Sequence, residues 1–206
     1  MGRIAQVKSK IQLISPKLPT LNIPKLLVQI RGKSPLHCHH MSKEVKEGII
    51  KGAPPKSKKT PKPEDIWRES LYMRSDGSYG HPATAIKKAM ASVMSLYGNA
   101  RKYNVPKILK TIGVFDADRD ELIKINGEPR MWTGVTKNAA GQTVGVVCAE
   151  FPEWTANVLI RFDGDTWHDE EILMFLLKAG EFVGIGAHRV EKGGQYGQFE
   201  LVGPEG

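Results

Sequence analysis

The sequence predicts an α+β fold: an antiparallel sheet with two main helices, a long basic insertion after strand one and an inserted β-hairpin. Three stretches carry this. "WTANVLIRF" puts Trp154, Ala156, Val158, Ile160 and Phe162 on one face, and Thr155, Asn157, Leu159 and Arg161 on the other, the period of two of a half-buried strand. "HPATAIKKAMASVMSLYG" carries Ile86, Ala89, Met90, Val93 and Tyr97 at helical spacing, and "HDEEILMFLLKAGEF" repeats that pattern. "PRMWTGVTKNAAGQTVGVVCAEF", residues 129–151, reads as two strands joined across Asn138–Gly141.

The remaining elements fall between these. Residues 1–25, broken by Pro16, Pro19 and Pro24, read as an extended arm. "LLVQI" (Leu26–Ile30) is the first strand, ending at Arg31-Gly32. Residues 32–63 are rich in Pro, Lys and Gly and bury too little apolar surface to order themselves, so they read as a basic flexible loop. "PEDIWRESLY" is a short helix with proline near its start, acids in its first turn and Ile66 and Trp67 facing inward. Gly98 is a natural stop for the helix that follows. "TIGVFD" and "ELIKIN" are short strands around the acidic turn Asp116–Asp120, and "QYGQFELV" closes the chain as a last strand. Without the insertion and the hairpin the order is βαββαβ, the ferredoxin-like or RRM-like plan, in a single domain over residues 26–206.

Composition narrows the function. The 206 residues are 25% charged and 40% apolar, with no 18-residue apolar run, so no membrane span is expected. Two cysteines, Cys38 and Cys148, make no disulfide framework and point to a reducing cytoplasm. Charge is lopsided. Residues 1–63 hold fourteen Lys and Arg against Glu44 and Glu47, a balance of +12; the rest carries −4, giving +8 overall. That asymmetry points to a polyanion, nucleic acid before a membrane surface, although a solvated tail has the same composition.

"VGIGAHRVEKGGQYGQFEL" (183–201) follows the second helix and contains five glycines, Gly184, Gly186, Gly193, Gly194 and Gly197. Each costs entropy on ordering, so something there needs backbone without side chains. Gly193-Gly194 permits a turn whose consecutive N–H groups cradle an anion, with Arg189 and Lys192 supplying charge. The alternative is a loop whose glycines serve turn geometry alone. "HCHH" (37–40) offers zinc-type ligands, but adjacent residues cannot all face one ion, and the second cysteine is 110 residues away; no metal is expected. A histidine beside RNA can act as a general acid or base, with His40, His81 and His188 the candidates. The acids of "DADRDE" and "DGDTWHDEE" sit where turns and helix starts use them and lack calcium-loop spacing. Trp132, placed near the hairpin tip, and Tyr196 are the aromatics expected to stack bases.

These motifs carry a resemblance. Gly32, Pro35 and Leu36 in "LVQIRGKSPLHCHHMS", Gly80, Pro82, Lys87 and Ala89 in "YGHPATAIKKAMASV", and Gly184, Gly186, Arg189, Gly193, Gly194, Gly197 and Phe199 in the last motif match a group of phage and prophage proteins over about residues 26–202. More distantly the plan resembles the RAMP superfamily of CRISPR-associated proteins, ferredoxin-like RNA binders with a glycine-rich loop near the C-terminus. The insertion and hairpin would then correspond to that group's extensions. "GIGAHR" departs from its more usual acidic-aromatic pair before the arginine.

Together these readings imply a non-enzymatic, cofactor-free protein. It would bind single-stranded DNA or RNA with weak sequence preference and form oligomers or filaments along the strand through its N-terminal arm. The residues assigned to the strand are Arg31, Lys33, His40, Lys56, Lys58, Lys59, Trp132, Lys137, Gly186, His188, Arg189, Lys192, Gly193, Gly194 and Tyr196. The rival readings are a histidine-dependent, metal-independent endoribonuclease and an inhibitor or assembly protein acting by protein contact.

Overall fold

Strand β1 (Lys25–Gly32) is an interior strand of the main sheet, one in from its edge, in the computed structural model, which describes residues 20–41, 43–52, 62–94, 105–116, 121–137 and 140–203. It pairs antiparallel with β9 (Thr155–Phe162) on one side and β10 (Phe199–Leu201) on the other. The second edge of β9 is shared. β5 (Ile112–Phe115) takes its C-terminal half, and β6 (Leu122–Asn126) its N-terminal half. From β6 the sheet continues to β4 (Tyr79–Pro82) and β3 (Tyr72–Met73). The predicted alternation of β9 is realised, with Ala156, Val158, Ile160 and Phe162 all buried.

Helix α3 (Ala83–Ser92) begins directly after Pro82, and its buried stripe is Ala83, Ile86, Ala89 and Met90. That stripe packs against β5 and against α5 (Asp169–Lys178), whose own buried face is Ile172, Phe175 and Leu176. Acids at 169–171 favour the start of α5 through its dipole, and Glu171 reaches back to the His168 N–H at 3.2 Å. Each large apolar side chain fully buried in this layer contributes about 1.5–3 kcal/mol. β1, α3, β5, β9, α5 and β10 taken alone give the strand order β10-β1-β9-β5, all neighbours antiparallel. This is the ferredoxin-like arrangement the sequence predicts. β6, β4 and β3 enlarge it.

A second sheet has the order β2-β8-β7: β2 (Leu36–Cys38), β8 (Thr143–Phe151) and β7 (Arg130–Lys137). β7 and β8 are the predicted hairpin, although residues 138 and 139 of its turn lie outside the described residues. β2 corrects an expectation. The insertion does not open as a flexible loop: Leu36, His37 and Cys38 are all buried, because this short run pairs with the base of β8. Helix α1 (Lys43–Ile50) follows, then α2 (Pro63–Glu69), which packs on β8 with Ile66 and Trp67 half-buried. A short α4 (Val105–Thr111) precedes β5. The arm up to residue 19, the lysine-dense residues 53–61, the acidic turn 117–120 and the expected stop at Gly98 lie outside the described residues. No helix among the described residues is long and apolar enough to cross a membrane.

Candidate nucleic-acid interface and the histidine network behind it

The glycine segment begins where α5 runs into a π-type turn at Ala179–Val183, and Gly184 leaves it with φ 73°. The glycines admit crossing backbones. Gly186 sits at φ 78° on top of β2, where a Cβ would meet the His37 carbonyl oxygen at 2.5 Å. At Gly197, φ 72°, a Cβ would lie 1.8 Å from the Ile185 carbonyl oxygen. Ala187 N–H donates to His37 O and Ile185 N–H to Gly197 O, so the segment is woven into β2 and into its own return. The expected cradle of free N–H groups at Gly193-Gly194 is not formed, because those groups donate to Val190 O and Arg189 O inside a 3-10 turn.

One side of this woven segment walls an open cleft of about 610 Å³. The opposite wall is α3, with Lys88 and Ser92; His39, Tyr72 and the buried His81 also line it. Among the described residues, Lys88, Arg189 and Lys192 reach it. Arg189 is committed to architecture: its Nε and NH2 donate to Glu191 at 3.0 and 2.7 Å, and its NH1 to Gly186 O at 3.3 Å. Hydrogen bonding from Ser92, with Arg189 adding to it, holds the Glu191 carboxyl below its usual range and links the segment to α3. Lys88 and Lys192 are exposed and have no ion-pair partner within 4.0 Å among the described residues. Burial pushes the His81 imidazolium down to about 4, so this histidine stays neutral; its Nδ1 lies 3.8 Å from the Cys38 sulfur.

The other side of the segment faces the second sheet, where register builds a row across three strands. Arg130 of β7 pairs with Glu150 of β8, and Glu150 with His37 of β2. Directly paired residues share a face, so the three side chains meet. Glu150 Oε1 accepts from Arg130 at 2.7 Å, and Oε2 lies 3.0 Å from His37 Nε2. Burial raises the Glu150 carboxyl, but the bonds from His37 and Arg130 outweigh it and leave the group below its ordinary value. Burial lowers His37 against the pull of Glu150, and His188 is lowered by burial and then by the charges of His37 and His39. His37 Nδ1 lies 3.0 Å from His188 Nδ1. In the adjacent row Trp132 pairs with Cys148, whose thiol burial raises to about 12. The ligand atoms of His37, Cys148 and His188 all lie within 4.8 Å of one another. Tyr196 stacks on His37 at 3.8 Å, and Trp132 tilts against it at 4.5 Å.

The predicted site residues therefore separate. Lys192, Arg189 and Gly186 line the cleft; His188, Trp132 and Tyr196 belong to the inner network. Trp132 stands at the hairpin's base, opposite Cys148, and not near its tip. Arg31 pairs with Glu200 across the β1–β10 register and Lys33 with Glu181, both away from the cleft. His40 sits beside Lys46 and against the ring of Tyr72, next to the cleft but not among the residues that line it. Lys56, Lys58 and Lys59 lie outside the described residues, as does the side chain of Lys137, the last residue of β7. Sequence reasoning missed Lys88, His37, Cys148 and Glu150. The last two, two apart in a predicted strand, share a face, and aligning them with Arg130 and Trp132 across the hairpin would have found the cluster.

No family model and no curated protein matches the chain. Among solved structures it is similar in shape to a chain of the Type III-B Cmr-beta complex bound to cognate target RNA, at 14% identity and TM-score 0.46, covering 89% of this chain and 60% of that one. It is similar likewise to Cmr6 from Pyrococcus furiosus, at 10% identity and TM-score 0.44, covering 89% of this chain and 100% of that one. The chain thus spans 60% of the length of the first and all of the second.

Proposed function

We propose that the protein binds single-stranded nucleic acid along the cleft between α3 and the glycine segment, without base selectivity. The observation that carries this is the pair Lys88 and Lys192, exposed cations on facing walls that form no ion pair within 4.0 Å among the described residues. Around them Arg189, Lys33 and Arg130 are each spent on a carboxylate: Arg189 on Glu191, Lys33 on Glu181, Arg130 on Glu150. Tyr72 and His39, which also line the cleft, offer flat faces to unstacked bases, and a backbone grip carries no sequence information. The basic stretch of residues 1–63 adds non-specific attraction that raises the encounter rate. In keeping with the phage-protein resemblance of its motifs, the strand would be one exposed in replication or recombination, with copies assembling along it through the N-terminal arm.

Fluorescence anisotropy with a labelled oligo(dT) and an oligo(U) tests the reading. Affinity should fall steeply with salt, and Lys88→Ala and Lys192→Ala should each flatten the log K against log salt slope by about 0.7. Binding that ignores salt, or slopes unchanged in both variants, would contradict it.

A further inference from the structure

We propose that His37, His188 and Cys148 form a binding site for a zinc-class divalent ion, with Glu150 positioning His37. The site is independent of nucleic-acid binding and lies behind the cleft, on the other side of the glycine segment.

The donor set comes first. Two imidazole nitrogens and a thiol suit a borderline-soft cation of the zinc class. His37 Nδ1 and His188 Nδ1 already face each other at 3.0 Å, and the Cys148 sulfur lies within 4.8 Å of both. The three come from β2, β8 and the glycine segment, so the convergence is a product of the fold and not of sequence neighbourhood.

The tautomer supports the same reading. His37 Nε2 is 3.0 Å from the Glu150 carboxylate, which Arg130 holds from its other oxygen. A carboxylate there keeps the proton on Nε2 and leaves Nδ1 with its lone pair aimed at His188. Ligating histidines in metal sites are held in the same manner, their second nitrogen bonded to a carboxylate that fixes the ring. Trp132 and Tyr196 flank the His37 ring and complete an apolar surround.

Backbone strain adds a separate observation. His188 is the non-glycine residue with positive φ among the described residues, at 55°. Such a conformation persists where surrounding structure imposes it, and it concentrates at ligand sites. Here it turns the imidazole toward His37 while its neighbour Arg189 faces the cleft. Binding would release the Cys148 thiol proton to solvent as the sulfur–metal bond forms. Three protein donors leave a fourth tetrahedral position for water or a ligand oxygen.

The test uses the full chain freed of metal with a chelator, then titrated with zinc alone by calorimetry and with cobalt by absorbance. The expected result is one ion per chain, a rise in the thermal midpoint on zinc addition, and cobalt spectra with intense four-coordinate bands and a thiolate charge-transfer band. Cys148→Ser should abolish the charge-transfer band and weaken zinc binding more than tenfold. His188→Asn, whose side chain tolerates left-handed backbone, should weaken it by as much without touching the sheet, and so decides the matter if Cys148→Ser does not fold. Glu150→Gln should keep the charge-transfer band and cost about 10–100-fold in affinity. His40→Ala, outside the set, should bind as wild type. Absence of zinc uptake by the folded protein, or uptake unchanged in both Cys148→Ser and His188→Asn, would overturn the proposal. Oligonucleotide affinity measured in the same variants separates its failure from that of the cleft reading.

Discussion

The two sides of the glycine segment use charge in opposite ways. On the inner side Arg130, Glu150 and His37 satisfy one another in a chain of directly paired strand residues, with Glu150 and His37 buried and the aromatic rings of Trp132 and Tyr196 against His37. On the outer side Lys88 and Lys192 face solvent with no ion-pair partner within 4.0 Å among the described residues, and the nearby Glu191 carboxylate is held by Ser92 and Arg189. The backbone between, Gly186 to Arg189, belongs to both. Charge that is paired and buried specifies the arrangement of the strands, whereas charge left exposed and unpaired is available to a ligand. A count of lysines and arginines does not separate these roles.

The comparison can be broken first at His81, which lines the cleft yet is buried. Its folded value of about 4 lies below the unfolded 6.5, so the unfolded chain binds more protons between these values. Its contribution is therefore complete above pH 6.5 and is lost as pH falls toward 4, on the order of 3 kcal/mol in all. Urea unfolding from pH 7 to 4 should show this loss, reduced by about one proton in His81→Leu. An identical pH dependence in that variant would mean that His81 is not held neutral by burial.

A smaller effect is expected inside the network. Glu150→Ala leaves the buried His37 N–H without its acceptor, at a cost of about 2 kcal/mol, while Arg130, largely exposed, turns to water. Chemical denaturation measures it. The smallest effect is at the cleft: Lys88→Ala and Lys192→Ala should each leave stability within about 0.5 kcal/mol. A loss above 1 kcal/mol at either lysine would show that these cations hold the fold together and would erase the contrast between the two sides.

Much of the fold was legible because it depends on local periodicity. β9 alternates in the sequence as it does in space, α3 and α5 bury the stripes their spacing predicts, and the hairpin strands pair as expected. The strand order β10-β1-β9-β5 followed from the order of these elements. β2 was not legible, because three residues carry no periodicity and become a strand only through pairing with β8. The site was read less well for the same reason. "HCHH" was judged by distance along the chain, and the fold cancels that distance by laying β8 beside β2 and the glycine segment across both. Glycine content correctly signalled close approach, but the approaching group is the protein's own backbone at His37 and Ile185.

The central claim, that a nucleic-acid strand lies along the cleft, is tested most directly by photocrosslinking. A single-stranded oligonucleotide carrying 4-thiouridine would be irradiated with the protein, and the crosslinked peptides mapped by mass spectrometry. Crosslinks should fall on residues 72–92 and 184–192, the two walls of the cleft. Crosslinks confined to the uncovered face of the main sheet, around Leu27, Gln29 and Asn157, would contradict it.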